Sequence, residues 1–404
     1  MAVFVTDGDQ RSALAAVRAL GRSGVPVTVG EKSERSLAGV SRYCARQVLY
    51  PSPIDHAAQF QEFLAAEMRR GTYRVLFPMT DISIRLLAEV RDRLEPHVMF
   101  PIPCTRALEL AQDKRQTLLL AASVGVDRPA TYMLREDERL EQVAHSVRYP
   151  VVIKPRLSRH LCAGQWFQGN VEYACGPDEL ITKFQQAHAR IPYPLVQEKV
   201  EGEACGVFLL VWNGELKAAF CHRRLREKPP WGGPSVYRES TPLDETLTQK
   251  SFALLKAMGW QGVAMVEFKR DRRDGQAKLM EVNGRFWGSL QLAIDAGVNF
   301  PLLLYRLAIG EQVPPQFEYR VGVRSRWLLG DLDHLLIRLR HPEACNGVSG
   351  SRFSACLQFL KPYERNTYYE VFRFSDPAPG WLECKQYLRE ALRLSRRREA
   401  RDAR

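Results

Sequence analysis

The stretch from Val263 to Ser289, VAMVEFKRDRRDGQAKLMEVNGRFWGS, constrains the chain more than any other. Val263 to Lys269 and Lys278 to Asn283 flank the charged turn Asp271-Arg272-Arg273-Asp274-Gly275, a pattern that predicts a β-hairpin. Side chains alternate between faces along a strand, so Val263, Met265 and Glu267 share one face of the first strand, and Leu279, Glu281 and Asn283 one face of the second. With the turn centred near Asp274, Glu267 falls opposite Glu281. Two carboxylates this close on one face repel each other unless a cation lies between them or one keeps its proton. Magnesium suits the place: it takes oxygen ligands at about 2.1 Å, prefers one or two carboxylates, and leaves the other positions to waters and substrate phosphates. Asn283 offers a third oxygen, and Arg285 beyond it a fixed positive charge. The competing reading, two exposed glutamates on a solvated face, sits poorly with Val263, Met265 and Leu279 in the same rows. Gly284 and Gly288 around Arg285 also suit a backbone that approaches a ligand closely.

Upstream segments carry matching chemistry. Tyr149-Pro150-Val151-Val152-Ile153-Lys154-Pro155 reads as a β-branched strand ending in lysine. A lysine directly after an apolar triplet is partly buried, and a buried ammonium calls for an anion. Residues 111–126 read as a helix carrying Asp113, Lys114 and Arg115. Pro194 to Val200 reads as a strand that Glu201-Gly202-Glu203 turns into the next, Gly206 to Trp212; Asn213-Gly214 then signals a type I′ hairpin into Leu216 to Cys221. His222 to Ser235 follows, HRRLREKPPWGGPS, with four cations in its first seven residues. Its prolines and glycines argue against regular structure, and guanidinium forks suit carboxylates and phosphates. This loop is read as lining the acceptor and acyl substrates, with Arg226 near the transferred phosphoryl group or a substrate carboxylate. Competing readings are an exposed basic loop and a single-strand nucleic-acid patch using Trp231 and Tyr237.

Glu267 followed by Glu281-Val282-Asn283-Gly284-Arg285 resembles the metal and phosphate motif of the ATP-grasp superfamily, with other landmarks upstream in the expected order. The likeness covers roughly residues 1–310 and looks most like carboxylate-amine ligases related to carbamoyl-phosphate synthase. It implies α/β and α+β architecture: an ATP-grasp fold preceded by a small parallel-sheet pre-ATP-grasp domain. Residues 1–112 would form that first domain, 113–193 the small ATP-grasp subdomain, 194–312 the large subdomain with the metal site, and 313–404 a C-terminal extension with a basic tail. The resemblance further implies that Lys114 and Lys154 reach the ATP phosphates and that residues 156–170, with Gly164 and Gly169, form a loop closing over the triphosphate. Backbone groups at Glu198, Lys199 and Val200 would pair with the adenine edge. Glu203, or failing that Glu201, would hold the ribose.

The remaining sequence bounds these expectations. Residues 2–5, AVFV, then a helical pattern through Leu14, Val17 and Leu20 and a strand at Val25 to Val29, form a βαβ unit. Its turn, Thr6-Asp7-Gly8-Asp9, has one glycine and two aspartates, so despite Glu31 after the second strand it is no dinucleotide fingerprint. Arg74 to Pro78 is a further strand and Ile82 to Leu94 a helix, with Asp81 either a ligand at the strand's carboxyl end or the helix cap. Asp244 to Met258 and Leu290 to Ala296 read as helices. So does Trp327 to Arg340, whose leucines at 328, 332, 335, 336 and 339 would pack in a core or lie on a membrane surface; 348–366 reads as loop and short strand. Without a basic leader or a long apolar run the chain is expected to be cytoplasmic with no membrane span. Nine cysteines without a C-x-x-C pair argue against disulfides and zinc. Of the net charge of +12, residues 385–404 supply +5, from eight Arg/Lys against three acids, so a nucleic-acid partner is not expected.

The resemblance therefore implies an enzyme that uses ATP and Mg2+, with Mn2+ as a substitute. A carboxylate would attack the γ-phosphate to give an acyl phosphate, Arg285 and Arg226 would stabilise the shifting charge, and an amine would displace phosphate to form an amide. Small-molecule carboxylate and amine substrates are expected, with a homodimer left open. A bicarbonate-activating enzyme of the biotin carboxylase or carbamoyl-phosphate type, and a non-catalytic ATP-binding assembly protein, are the alternatives.

Overall fold

The structure, a computed structural model, describes residues 2–134, 139–157, 159–162, 165–341, 352–361 and 365–402. Short apolar runs build the first sheet: β1 (Ala2–Val5), β2 (Val27–Glu31), β3 (Arg46–Leu49) and β4 (Tyr73–Phe77), all parallel in the order β3-β2-β1-β4. Parallel strands need cover on both faces, and Val3, Phe4, Val5, Val27, Val29 and Val75 are accordingly buried. The helix after β4 is broken into Asp81–Ala88 and Arg91–Leu94, and its cap is Thr80, whose Oγ1 accepts from Ser83 N at 3.2 Å. Asp81 therefore stands in the first turn, free of the capping role.

The region expected as one helix at 111–126 is two, Thr105–Gln112 and Lys114–Ser123. Asp113 interrupts them: its backbone is extended, and its Oδ1 accepts from Arg115 N at 3.0 Å and Gln116 N at 3.3 Å. Lys114 thus opens the second helix. Next comes a sheet in the order β5-β10-β6-β9, from β5 (Thr131–Tyr132), β6 (Val151–Lys154), β9 (Glu172–Ala174) and β10 (Leu195–Glu198), all antiparallel. The segment expected as a loop at 156–170 contains a hairpin of β7 (Arg159–Cys162) and β8 (Gln165–Gln168); Gly164 lies outside the described residues.

The largest sheet has seven strands: β11 (Gly202–Trp212), β12 (Glu215–Glu227), β13 (Ser235–Ser240), β14 (Gly262–Asp271), β15 (Ala277–Asn283), β16 (Arg324–Arg326) and β17 (Thr367–Tyr369), in the order β15-β14-β11-β12-β13-β16-β17. Asn213 (φ 51°) and Gly214 (φ 76°) make the two-residue turn between β11 and β12. β12 runs on to Glu227, so the segment expected to be irregular from His222 is strand for its first half; only with Pro229 and Pro230 does the chain leave the sheet. β16 and β17, from the C-terminal region, complete this sheet, and β10 belongs to the smaller one.

Two further expectations change beyond residue 327. The helix Leu328–Arg340 buries Gly330, Asp331, His334 and Arg338 and leaves its leucines half-buried, the reverse of a leucine core face. Asp331 is drawn inward because Arg226 and Arg326 both pair with it. Arg352–Leu360 is a helix where loop was expected, while 342–351 and 362–364 lie outside the described residues. The tail continues as the helix Ala378–Asp402. Among the described residues no helix is long and apolar enough to cross a membrane.

Candidate active site

The hairpin of β14 and β15 places Glu267 opposite Glu281 and Met265 opposite Asn283. A bulge at Met280 then pairs Phe268 with Leu279, so Leu279 faces the core containing Val266, Phe268 and Val282, not the row of Glu281 as simple alternation had it. The three oxygen-bearing side chains converge. Asn283 Nδ2 donates to Glu281 Oε1 at 3.0 Å and to Glu267 Oε1 at 3.4 Å. Burial pushes the Glu267 carboxyl above the usual carboxylate range, Arg224 pulling it back and Glu281 adding to the rise.

Four cations surround this acidic row. Arg224, on β12, pairs with Glu267 and with Glu227 at 3.1 Å. Arg285 Nε pairs with Asp81 at 2.9 Å, and its Nη2 reaches Asn283 Oδ1 at 3.4 Å. Burial disfavours the Arg285 charge, yet the carboxylates of Asp81, Glu281 and Glu267 outweigh it and hold the pKa above its ordinary value. Lys154, ending β6, is pushed down to about 8 by burial; Glu281 and Glu267 attract its charge, while Lys114 and Lys269 repel it. Burial also lowers Lys114, against the pull of Glu281, Asp81 and Asp113. Burial and specific charges together shift pKa values at functional sites and in structural ion-pair networks alike.

The donors fit a hard divalent cation: two carboxylates and one amide oxygen, with the amide now turned nitrogen-inward and a guanidinium neutralising Glu267. Among the described residues no group of three or more His, Cys, Asp or Glu is placed to bind metal, so a cation here would rely on Asn283 and on oxygens from outside the chain.

The other expected residues divide. Glu198 accepts from Ala130 N at 2.9 Å, from Lys278 Nζ at 3.1 Å and from Arg273 Nη2 at 2.8 Å, tying the small sheet to the β14–β15 hairpin through its side chain. Val200 is buried, and Lys199 Nζ pairs with Glu201 at 2.9 Å. Glu203 lies opposite Arg270 and near Arg223, in the row alternating with Gly206 and Glu267, so it leaves by the other face of the sheet. Arg226 is likewise displaced: a bulge at Leu225 pairs Arg224 with Arg238 but Arg226 with the adjacent Tyr237, which turns Arg226 away from Glu267 and onto Asp331 at 2.9 Å. The arginine that meets the acidic row is Arg224. Its sequence signal was its place two residues after His222, on the face that carries Glu267.

Comparisons with known proteins bear on the fold that carries these residues. Residues 190–329 match a family model described as ATP-grasp in the biosynthetic pathway with Ter operon. The L-amino acid ligase from Bacillus licheniformis superposes with a TM-score of 0.60 at 15% identity, over 78% of this chain and 75% of that one. N5-carboxyaminoimidazole synthetase from Staphylococcus aureus gives 0.62 at 14% identity, over 85% and 86% of the two chains. The biotin carboxylase domain of Hydrogenobacter thermophilus 2-oxoglutarate carboxylase, solved with MgADP and bicarbonate, gives 0.64 at 15% identity over 80% and 73%. The chain has the ATP-grasp fold. No curated protein sequence matches it. In this ATP-grasp chain the acidic row lies on β14 and β15 of the large sheet, and Lys154 ends β6 of the small one.

Proposed function

We propose that the chain is a ligase that spends ATP to activate a substrate carboxylate as an acyl phosphate and passes the acyl group to an amine. The observation that supports this best is the convergence of Glu267, Glu281 and Asn283 with Lys114, Lys154, Arg224 and Arg285 on an ATP-grasp sheet. Glu267, Glu281 and Asn283 would hold Mg2+, or Mn2+ in its place, which supplies charge neutralisation at the β- and γ-phosphates. Lys154 enters with a depressed pKa, so a phosphate oxygen near it both fixes its proton and gains an ion pair in a dry setting. Lys114 serves the same end from its helix start. The backbone at Glu198 to Val200 would pair with adenine. Of the two acids beyond it, Glu201 is the candidate for the ribose, because Glu203 leaves by the other face.

A carboxylate oxygen attacks the γ-phosphorus and the bond to the β-phosphate oxygen breaks, leaving ADP. Arg285, oriented by Asp81, and Arg224, oriented by Glu227, hold the charge that shifts between them. The amine nitrogen then attacks the acyl carbon, phosphate departs, and one proton is released as the amide forms. The likeness to a biotin carboxylase domain solved with bicarbonate makes bicarbonate the second candidate for the activated carboxylate. Phosphate release, measured with Mg-ATP and pools of carboxylic acids and amines, tests the reading. Stimulation by an acid and amine together supports it, stimulation by bicarbonate alone favours the second candidate, and nucleotide binding without stimulation by any pool rejects both.

A further inference from the structure

The tail helix Ala378–Asp402 is held to the body of the molecule along one side. Glu383 is buried and accepts from Trp327 Nε1 at 2.8 Å. Gln386 Nε2 donates to Asp9 Oδ1 at 3.4 Å, and the Tyr387 hydroxyl donates to Asp333 Oδ1 at 2.6 Å. At about 100° of turn per residue, these three side chains fall on one side of the helix. Trp381, Leu388 and Leu392, spaced i, i+7 and i+11, share the other side, and they are 76%, 62% and 62% exposed. Apolar residues at this spacing form a stripe along a helix, here turned to water.

Cations border the stripe. Lys385 and Arg389 are exposed on its flank, and Arg393, also exposed, lies farther round beside Glu390. The acids of this stretch stand elsewhere: Glu383 is turned inward, and Glu390, nine residues after Trp381, is about half a turn away. From Lys385 to Arg404 the sequence carries eight Arg/Lys against three acids, a net of +5. Single exposed apolar residues are ordinary, whereas several aligned on one helix side mark a contact surface, and the cations beside them set the sign of what it meets. A second copy of the chain would bring the same cations to the stripe, where neither Glu383 nor Glu390 lies to receive them. A nucleic-acid strand would meet the cations but stack on aromatic rings, of which the stripe has one, so Leu388 and Leu392 would stay in water. An anionic lipid surface suits every member: leucines reach the acyl boundary, an indole sits at headgroup level, and long basic side chains extend to the phosphates.

We propose that the outward side of the helix Ala378–Asp402 lies on anionic lipid, with Trp381, Leu388 and Leu392 at the headgroup boundary and Lys385 and Arg389 against lipid phosphates. The contact is peripheral, since among the described residues no helix is long and apolar enough to cross a membrane. It leaves the side carrying Glu383, Gln386 and Tyr387 docked to the body, and it is independent of the ligase reading. Because it joins apolar insertion to charge attraction, it weakens both with salt and with loss of the leucines.

Sedimentation of the full chain with extruded vesicles tests the proposal, using phosphatidylcholine alone and phosphatidylcholine mixed with phosphatidylglycerol. The expected result is binding to the mixed vesicles that is at least tenfold tighter than to phosphatidylcholine alone. The double variant Leu388→Ser, Leu392→Ser should weaken it at least tenfold, and so should Lys385→Gln, Arg389→Gln. Lys32→Gln, Arg35→Gln, an equal charge loss at exposed positions elsewhere, should leave it within about twofold. All six residues are exposed, so circular dichroism and melting temperature should stay those of the parent chain. Equal binding to both vesicle types, or binding that the serine variant leaves unchanged, overturns the proposal. So does self-association in analytical ultracentrifugation that the serine variant abolishes, which assigns the stripe to a second copy, or tighter binding to a single-stranded oligonucleotide than to the mixed vesicles.

Discussion

The two faces of the seven-stranded sheet gather charge in opposite ways. On one, two carboxylates and an amide from adjacent strands are ringed by cations; on the other, arginines of β12 and β16 pair with Asp331 and Glu239. Which residue belongs to which face is decided by two bulges, at Leu225 and Met280, since each shifts alternation by one residue. Arg224 and Arg226 are two residues apart and serve different faces for that reason alone.

If the acidic face is the catalytic one, Glu267→Gln or Glu281→Gln should lower turnover by on the order of 10^2–10^3 with the fold retained, checked by steady-state phosphate release and circular dichroism. A loss of melting temperature without a loss of turnover would make the acidic face merely structural. The arginine pair sharpens the contrast. Arg224→Ala should cut kcat by about 10^2, whereas Arg226→Ala should change it less than about threefold and instead cost ~3 kcal/mol in urea unfolding, because Asp331 stays buried without one of its partners.

Lys154 yields a smaller effect of mixed sign. Its pKa falls from 10.5 to about 8, so folding disfavours the charged form by on the order of 3 kcal/mol below pH 8, and the penalty fades as pH rises toward 10.5. Lys154→Met should therefore raise stability at pH 7 while weakening ATP analogue binding about tenfold or more. The smallest effect is a protonation change: at pH 8 nucleotide binding should take up roughly half a proton as Lys154 becomes fully charged, measured by calorimetry in buffers of different ionisation enthalpy.

Much of the acidic face was legible in the sequence. Period-two alternation around a charged turn marks a hairpin, and Glu267 and Glu281 then meet by counting alone. Lys154 was legible because three apolar residues precede it. Arg226 and Leu279 were assigned to the wrong face because a bulge has no reliable residue signature; nothing in HRRLRE announces an extra residue at Leu225. The inverted burial of Leu328–Arg340 was hidden for a different reason. A helix read alone buries its leucines, and only arginines on β12 and β16, brought near by the sheet, make Asp331 the inward residue. Asp113 offered a signal that the helix reading passed over, an N-cap residue directly before Lys114.

The central claim is that Glu267, Glu281 and Asn283 grip a divalent ion together with ATP. Electron paramagnetic resonance of Mn2+ titrated into the protein with a non-hydrolysable ATP analogue tests it directly. The account predicts a saturable bound-Mn2+ signal that needs the nucleotide and disappears in the double variant Glu267→Gln, Glu281→Gln. A bound signal of undiminished affinity in that variant would contradict it.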